Sequence, residues 1–395
     1  MTWQARAHTD PREIDAATWN ALLAASPQPT PFMRHEWLAA LHEQGCATPD
    51  TGWAPLFLAV DRGQGVEGVC ALYLKSHSYG EYVFDWAWAD AHERAGLRYY
   101  PKLLCASPFT PVPGARLLAL NDEARQALLA AIVQWGQETG SSSAHMLFPN
   151  EPDAAAARAA GWLMRQGVQF HWTNQHADQP GALPYASFED FTAALHRDKR
   201  KKIQQERRRV RDAGVIVQVR EGTQITLADW DFFYNCYERT YLAHGNPPYL
   251  SRAFFQQVGQ TMSAHWLMFT AVHDGEPVAT SLIGLDRAQG VAYGRYWGAL
   301  QHIPCLHFEL CYYAPLAWCI EQDLQRFEGG AQGEHKMARG LMPVPTWSAH
   351  WLRDARFADA VERYLARESA GIDAYVDELN DRAPFKRSAL EFIRK

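Results

Sequence analysis

Phe269-Thr-Ala-Val-His273, Asp274-Gly275, Pro277-Val-Ala-Thr-Ser-Leu-Ile283 and Tyr293-Gly-Arg-Tyr296 follow one another in the second half of the chain. Asp-Gly between two apolar runs is a hairpin signal, because both turn positions take positive φ at little cost. The stretch reads as strand, tight turn, strand, then an aromatic strand. The same order stands far upstream, where Phe57, Ala59 and Val60 lead through a glycine turn into Gly68-Val-Cys-Ala-Leu-Tyr-Leu74 and Tyr79-Gly-Glu-Tyr82. A match in residue type, order and spacing predicts duplication of one α/β unit.

Length agrees, since 395 residues exceed one ordinary core and suit two. The turn and helix signals place a first domain at 1–183 and a second at 184–353, opened by a basic helix. A C-terminal helical segment at 354–395 packs back on them. Strands alternate with helices throughout, which predicts an α/β (α+β) fold and excludes a sandwich. Asp122 to Gly140 is a long helix after the cap Asn121, and one helix is expected from Leu306 to Leu324. A composition 47% hydrophobic and 21% charged excludes disorder. Seven scattered cysteines without a Cys-x-x-Cys pair argue against a disulfide framework and a zinc ribbon. The N-terminus lacks an apolar signal core and no run reaches the length of a membrane helix. A cytoplasmic location is expected.

Charge is uneven. Residues 197–211 hold nine Lys/Arg against Asp198 and Glu206 in a chain of formal net charge −6. Such clustering marks either a solvated helix face or an anion site, here with Lys199, Arg200 and Lys202 as ligands of a phosphate-bearing donor. Aromatic interleaving of the kind used for single-stranded nucleic acid is missing there.

Three polar clusters sit beside glycines and strand ends. The first is Lys75, His77, Ser78, Tyr79, Glu81 and Asp85, where strand alternation would set Tyr79 and Glu81 on one face. A carboxylate among aromatics is raised in pKa and suits a general base, unless Glu81 simply pairs with Lys75. The second is His307 and Glu309 in the first turn of a helix, where Glu309 has the alternative role of a helix-end charge. The third is Gln332, Glu334, His335, Lys336 and Arg339 among glycines 329, 330, 333 and 340, a loop type that carries function. His307, Glu309, Glu334 and His335 suit a metal in kind but lack a spaced ligand set, so no metal is expected. Gly-x-Ser-x-Gly is absent, and Cys305 and Cys311 read as packing residues.

Beyond these patterns, Lys75-Ser-His-Ser78, Tyr79-Gly-Glu-Tyr-Val-Phe-Asp85, Tyr99-Tyr-Pro-Lys102, Ser107-Pro-Phe-Thr-Pro-Val112, Gly294-Arg-Tyr-Trp-Gly298, His307-Phe-Glu309, Gly330-Ala-Gln-Gly-Glu-His-Lys336 and Ser348-Ala-His-Trp351 resemble the bacterial Fem-like N-acyltransferases. These belong to the GNAT superfamily and are often labelled peptidoglycan-biosynthesis proteins. The resemblance implies two tandem GNAT-like domains, each a mixed sheet flanked by helices. It also implies transfer of an acyl or aminoacyl group to a small-molecule or peptide amine in the cleft between them. The co-substrate would be acyl-CoA or aminoacyl-tRNA, which would make tRNA a partner, with no cofactor bound permanently. On this reading Glu309 or Glu81 is the base, with His307 and His335 as alternatives. Arg295, Lys336 and Arg339 bind an acidic substrate or donor, with Tyr296, Gln332, Glu334 and His350 beside them. Lys75, His77, Tyr79, Asp85 and Lys102 line the opposite wall, and the second unit is expected to hold the chemistry. The glycines with which ordinary GNAT enzymes hold the CoA pyrophosphate are replaced by Gln301-His-Ile-Pro-Cys-Leu-His307. This departure motivates the competing class, a catalytically inactive binding protein for a cell-wall peptide, amino-sugar or RNA.

Overall fold

The computed structural model describes residues 2–176, 183–331 and 333–386. The chain divides into two units. The first comprises the chain up to Gly167 with Tyr249–Phe254 and Pro345–Tyr375, and the second Val168–Pro248, Phe255–Val344 and the chain from Val376 onward. The units therefore exchange segments, whereas boundaries at 183 and 353 follow chain order.

In the second unit the hairpin pairs Trp266–His273 with Glu276–Asp286, Val272 facing Pro277. Asp274 and Gly275 both take positive φ, 51° and 83°, as a primed two-residue turn demands. On one side lies Ile216–Glu221, on the other Val291–Ala299, both antiparallel. Arg326–Ala331 then joins parallel to Val291–Ala299. A parallel neighbour needs a crossover, and the helical stretch between residues 306 and 321 supplies it. Residues 168–173 of the strand Leu163–Thr173 close the order.

The first unit repeats the hairpin and then departs from it. Phe57–Asp61 pairs with Val66–Cys70, flanked by Gln4–His8 and Leu118–Ala119. Against it the helix Asp122–Glu138, capped by Asn121, buries Leu128, Leu129 and Ile132 on Leu58, Val60, Cys70 and Leu103. Each such side chain contributes about 1.5–3 kcal/mol by leaving water. Past Ala71, however, Leu72–Lys75 enters a different sheet, between Trp53–Pro55 and Lys102–Cys105. Ser143–Leu147 and residues 348–352 continue that sheet.

One expectation is corrected. The downstream Tyr-Gly-x-Tyr lies in the strand Val291–Ala299, but the upstream copy is a loop, because the strand ends at Lys75. Gly80 and Tyr82 have φ of 82° and 64°, which no strand accommodates. A Cβ on Gly80 would also lie 2.6 Å from the Phe109 ring. The alternation invoked for Glu81 therefore does not apply.

Candidate active site

The crossover in the second unit opens at Cys305, a non-glycine residue at φ 69°. The helix expected from 306 to 324 is interrupted: a short turn Leu306–Phe308, a π-helical turn Glu309–Tyr313, then Ala314–Glu321. The cause is Pro315, which has no N–H to give. Ala314 N–H reaches back to the Glu309 carbonyl, and the Leu310 carbonyl takes the hydroxyl of Ser281 instead, at 2.6 Å. Widened turns of this kind occur often at functional sites.

That turn forms one wall of a cavity of about 140 Å³, lined by Ser281, Ile283, Gly294, Arg295, Tyr296, Trp297, His307, Cys311, Tyr312, Phe327, Gly329 and Lys336. In the opposite wall Leu282 faces Tyr296 and Ile283 faces Gly294, so Arg295 is the extra residue of a β-bulge, a device that re-aims side chains. Its guanidinium lies 4.9 Å over the Tyr296 ring. Lys336 reaches in from the glycine-rich loop, its Nζ donating to Gly329 O at 2.7 Å and Gly330 O at 3.3 Å. Burial lowers its pKa to about 8. His307 meets the rings of Trp297 and Tyr312 edge-on. Burial first, then the neighbouring His335, Arg339 and Lys336, push it down to about 4, so its imidazole is neutral at pH 7. His335, exposed beyond Tyr312, shares a 3.3 Å hydrogen bond with that hydroxyl.

Other expected residues lie behind this wall. Glu309 is held by Arg207 at 3.0 Å, and burial raises its pKa more than Arg207 lowers it. Arg339 stacks on Phe308 at 3.5 Å and donates to Glu206 at 3.0 Å. Tyr313 donates to the same Glu206 carboxylate. Both pairs end on the basic helix Arg197–Asp212, whose buried side is Ile203, Glu206 and Val210. Lys202 is exposed and Lys199 and Arg200 are half-buried. Glu334 is exposed, and Gln332 lies outside the described residues.

In the first unit Lys102, with no exposed surface, donates to Ser78 at 2.8 Å, Glu81 at 2.7 Å and Asp85. Lys75 Nζ sits 3.5 Å over the Trp53 ring and 3.9 Å from Glu81. Burial brings Glu81 up and Lys75 down, each to about 7. Lys102 holds Asp85 well below the ordinary range against burial, which pushes it up. Tyr99 donates to Asp85 at 2.5 Å and approaches His145 at 3.2 Å. His145 shares a proton with His350 at 2.7 Å, and Ser348 closes the chain at 2.8 Å. Burial keeps both histidines neutral. His77 and Tyr79 lie on the outer side of the same loop, His77 donating to Thr51 O.

Sequence reasoning missed Tyr99, His145, Ser281, Glu206 and Glu328. Glu328 is buried beside the cavity strand, held by Arg326 at 3.1 Å and raised by burial to about 7. Glu206 had a readable signal, because Ile203, Glu206 and Val210 share one helix face. Among the described residues no group of three or more His, Cys, Asp or Glu side chains is placed to hold a metal, and no helix is long and apolar enough to cross a membrane.

Comparison with known proteins adds the following. A family model named FemAB-like, described as peptidoglycan biosynthesis/recognition, matches residues 10–387. FemX is similar in structure at a TM-score of 0.54 and 12% identity, over 92% of this chain and 100% of that one. L-PGS from Bacillus licheniformis is similar at 0.52 and 10%, over 86% and 93%. At these identities the likeness is one of fold, a mixed α/β architecture. No curated protein matches the sequence.

Proposed function

Because the chain belongs to the FemAB-like family, we propose that it is an N-acyltransferase whose transfer site is the cavity of the second unit. The observation that carries this reading is the convergence of a neutral imidazole, a phenol and two cations on one small cavity. At about 140 Å³ it suits the acyl or aminoacyl end of a donor, not the carrier.

In this chemistry the amine nitrogen attacks the acyl carbonyl, the new C–N bond forms and the carbonyl electrons move to oxygen. His307 takes the proton released by the amine, since it is neutral above about pH 4. Lys336 and Arg295 face the developing oxyanion, a role best filled by preset charges. The tetrahedral intermediate collapses with departure of the thiolate or alkoxide carrier, which takes up the proton that His307 received from the amine. Glu309 acts through position: its ion pair with Arg207 anchors the π-helical turn. The donor is acyl-CoA or aminoacyl-tRNA, and the acceptor is a peptide or small-molecule amine.

The test is turnover by the purified chain of amine acceptors with both donor types, in wild type and His307→Gln. The variant is expected to lose about 10²–10⁴ in rate, against a much smaller loss in Glu309→Gln. Wild-type activity should hold between about pH 4, where His307 gains a proton, and about pH 8, where Lys336 loses one. Absence of turnover with every donor would favour the binding-protein class.

A further inference from the structure

Lys102 donates to Ser78, Glu81 and Asp85, and three bonds exhaust an ammonium. Tyr99 gives its proton to the same Asp85 oxygen that Lys102 uses. This leaves Glu81 Oε1 and Asp85 Oδ1 buried without a hydrogen-bond partner among the described residues, although both side chains are at least nine-tenths enclosed. A buried carboxylate oxygen without a donor is costly and calls for a missing group. Lys75 indicates what kind: its ammonium already lies on the Trp53 ring, yet 3.9 Å from Glu81 Oε1 is too far for a hydrogen bond.

We propose that the first unit is a binding site for a primary ammonium group, taken between Glu81 Oε1 and Asp85 Oδ1 beside the aromatic face of Trp53. Carboxylate acceptors with an aromatic wall select a cation over a neutral hydroxyl. Burial brings both Lys75 and Glu81 to about 7, so above that pH Lys75 is neutral and the two carboxylates stand with Lys102 as the remaining cation. The loop of residues 76–85 carries both carboxylates, and its Tyr79 meets Trp86 in edge contact at the surface. The site does not rest on the transfer reading, because it asks only for binding.

Titration calorimetry on the whole chain with glucosamine, propylamine and N-acetylglucosamine is the test, with hydrogen exchange of residues 76–85 as a second readout. Glucosamine or propylamine should bind and slow that exchange. N-acetylglucosamine, whose nitrogen carries no charge, should bind at least about tenfold more weakly. Preference between the two amines tells a sugar from a peptide-type source. Glu81→Gln should weaken amine binding about tenfold or more, and Tyr79→Ala, an exposed change that spares the fold, should weaken it severalfold. The proposal is overturned if neither amine binds, if N-acetylglucosamine binds as well, or if both variants bind amines like wild type. Water alone at the two oxygens in an amine-soaked crystal would overturn it too.

Discussion

The two units treat their buried lysines in opposite ways. In the first, Lys102 is sealed among Ser78, Glu81 and Asp85 with full counter-charge. In the second, Lys336 is held by the backbone carbonyls of Gly329 and Gly330 and faces a cavity. A sealed lysine is bound by what its removal would strand, two carboxylates in low dielectric. A lysine on carbonyls strands only dipoles. The contrast separates a cation that supports its unit from one available for chemistry.

Breaking the contrast begins with the largest expected effect. Lys102→Met should destabilise the protein by about 3–5 kcal/mol, because Glu81 and Asp85 remain buried without the ammonium that pairs them. Lys336→Met should cost about 1–2 kcal/mol while lowering transfer activity. Urea unfolding of both variants decides the matter, and equal losses would erase the distinction.

The pH dependence of stability sharpens it. Glu81 titrates at about 7 in the folded state against an ordinary 4.5, so the folded form holds the proton longer and stability falls as pH rises from about 4.5 to 7. Lys75 titrates at about 7 against 10.5, so the unfolded form holds the proton longer and stability rises from about 7 to 10.5. Together they contribute a minimum near pH 7, opposed on its acid side by the buried histidines, whose lowered pKa values make stability rise with pH. The difference in denaturation midpoint between wild type and Glu81→Gln across pH should isolate the acid limb.

The smallest effect concerns the π-helical turn. Ser281→Ala removes the donor to the Leu310 carbonyl and should cost about 1 kcal/mol. In a Pro315→Ala background, where residue 315 regains an N–H, the same change should cost less. A double-mutant cycle that comes out additive would show that Pro315 is not what makes Ser281 necessary.

The hairpins were legible because turn chemistry is local: Asp274-Gly275 carries its own φ requirement, and Asn121 its own cap. The loop at 79–85 was not, since nothing in Tyr-Gly-Glu-Tyr announces that Gly80 and Tyr82 turn left-handed against Phe109, a partner distant in sequence. Pro315 did mark a break in the expected helix. Its consequence, a widened turn, depends on a hydroxyl from Ser281 on a separate strand. The candidate clusters were assembled from neighbours in sequence, so the grouping of Arg295, His307 and Lys336 was within reach. The chain from Glu81 to His350 was not, because it crosses from a loop to three strands.

Glu206 and Arg207 are adjacent on the basic helix, and their partners are of opposite sign, Arg339 for the first and Glu309 for the second. The two pairs therefore work as a keyed joint. Turning the helix by one residue would bring Arg207 toward Arg339 and lose both pairs at once. With Lys and Arg all around it, this helix could sit at many rotations with little change in solvation. Two neighbouring charges of opposite sign leave it only one.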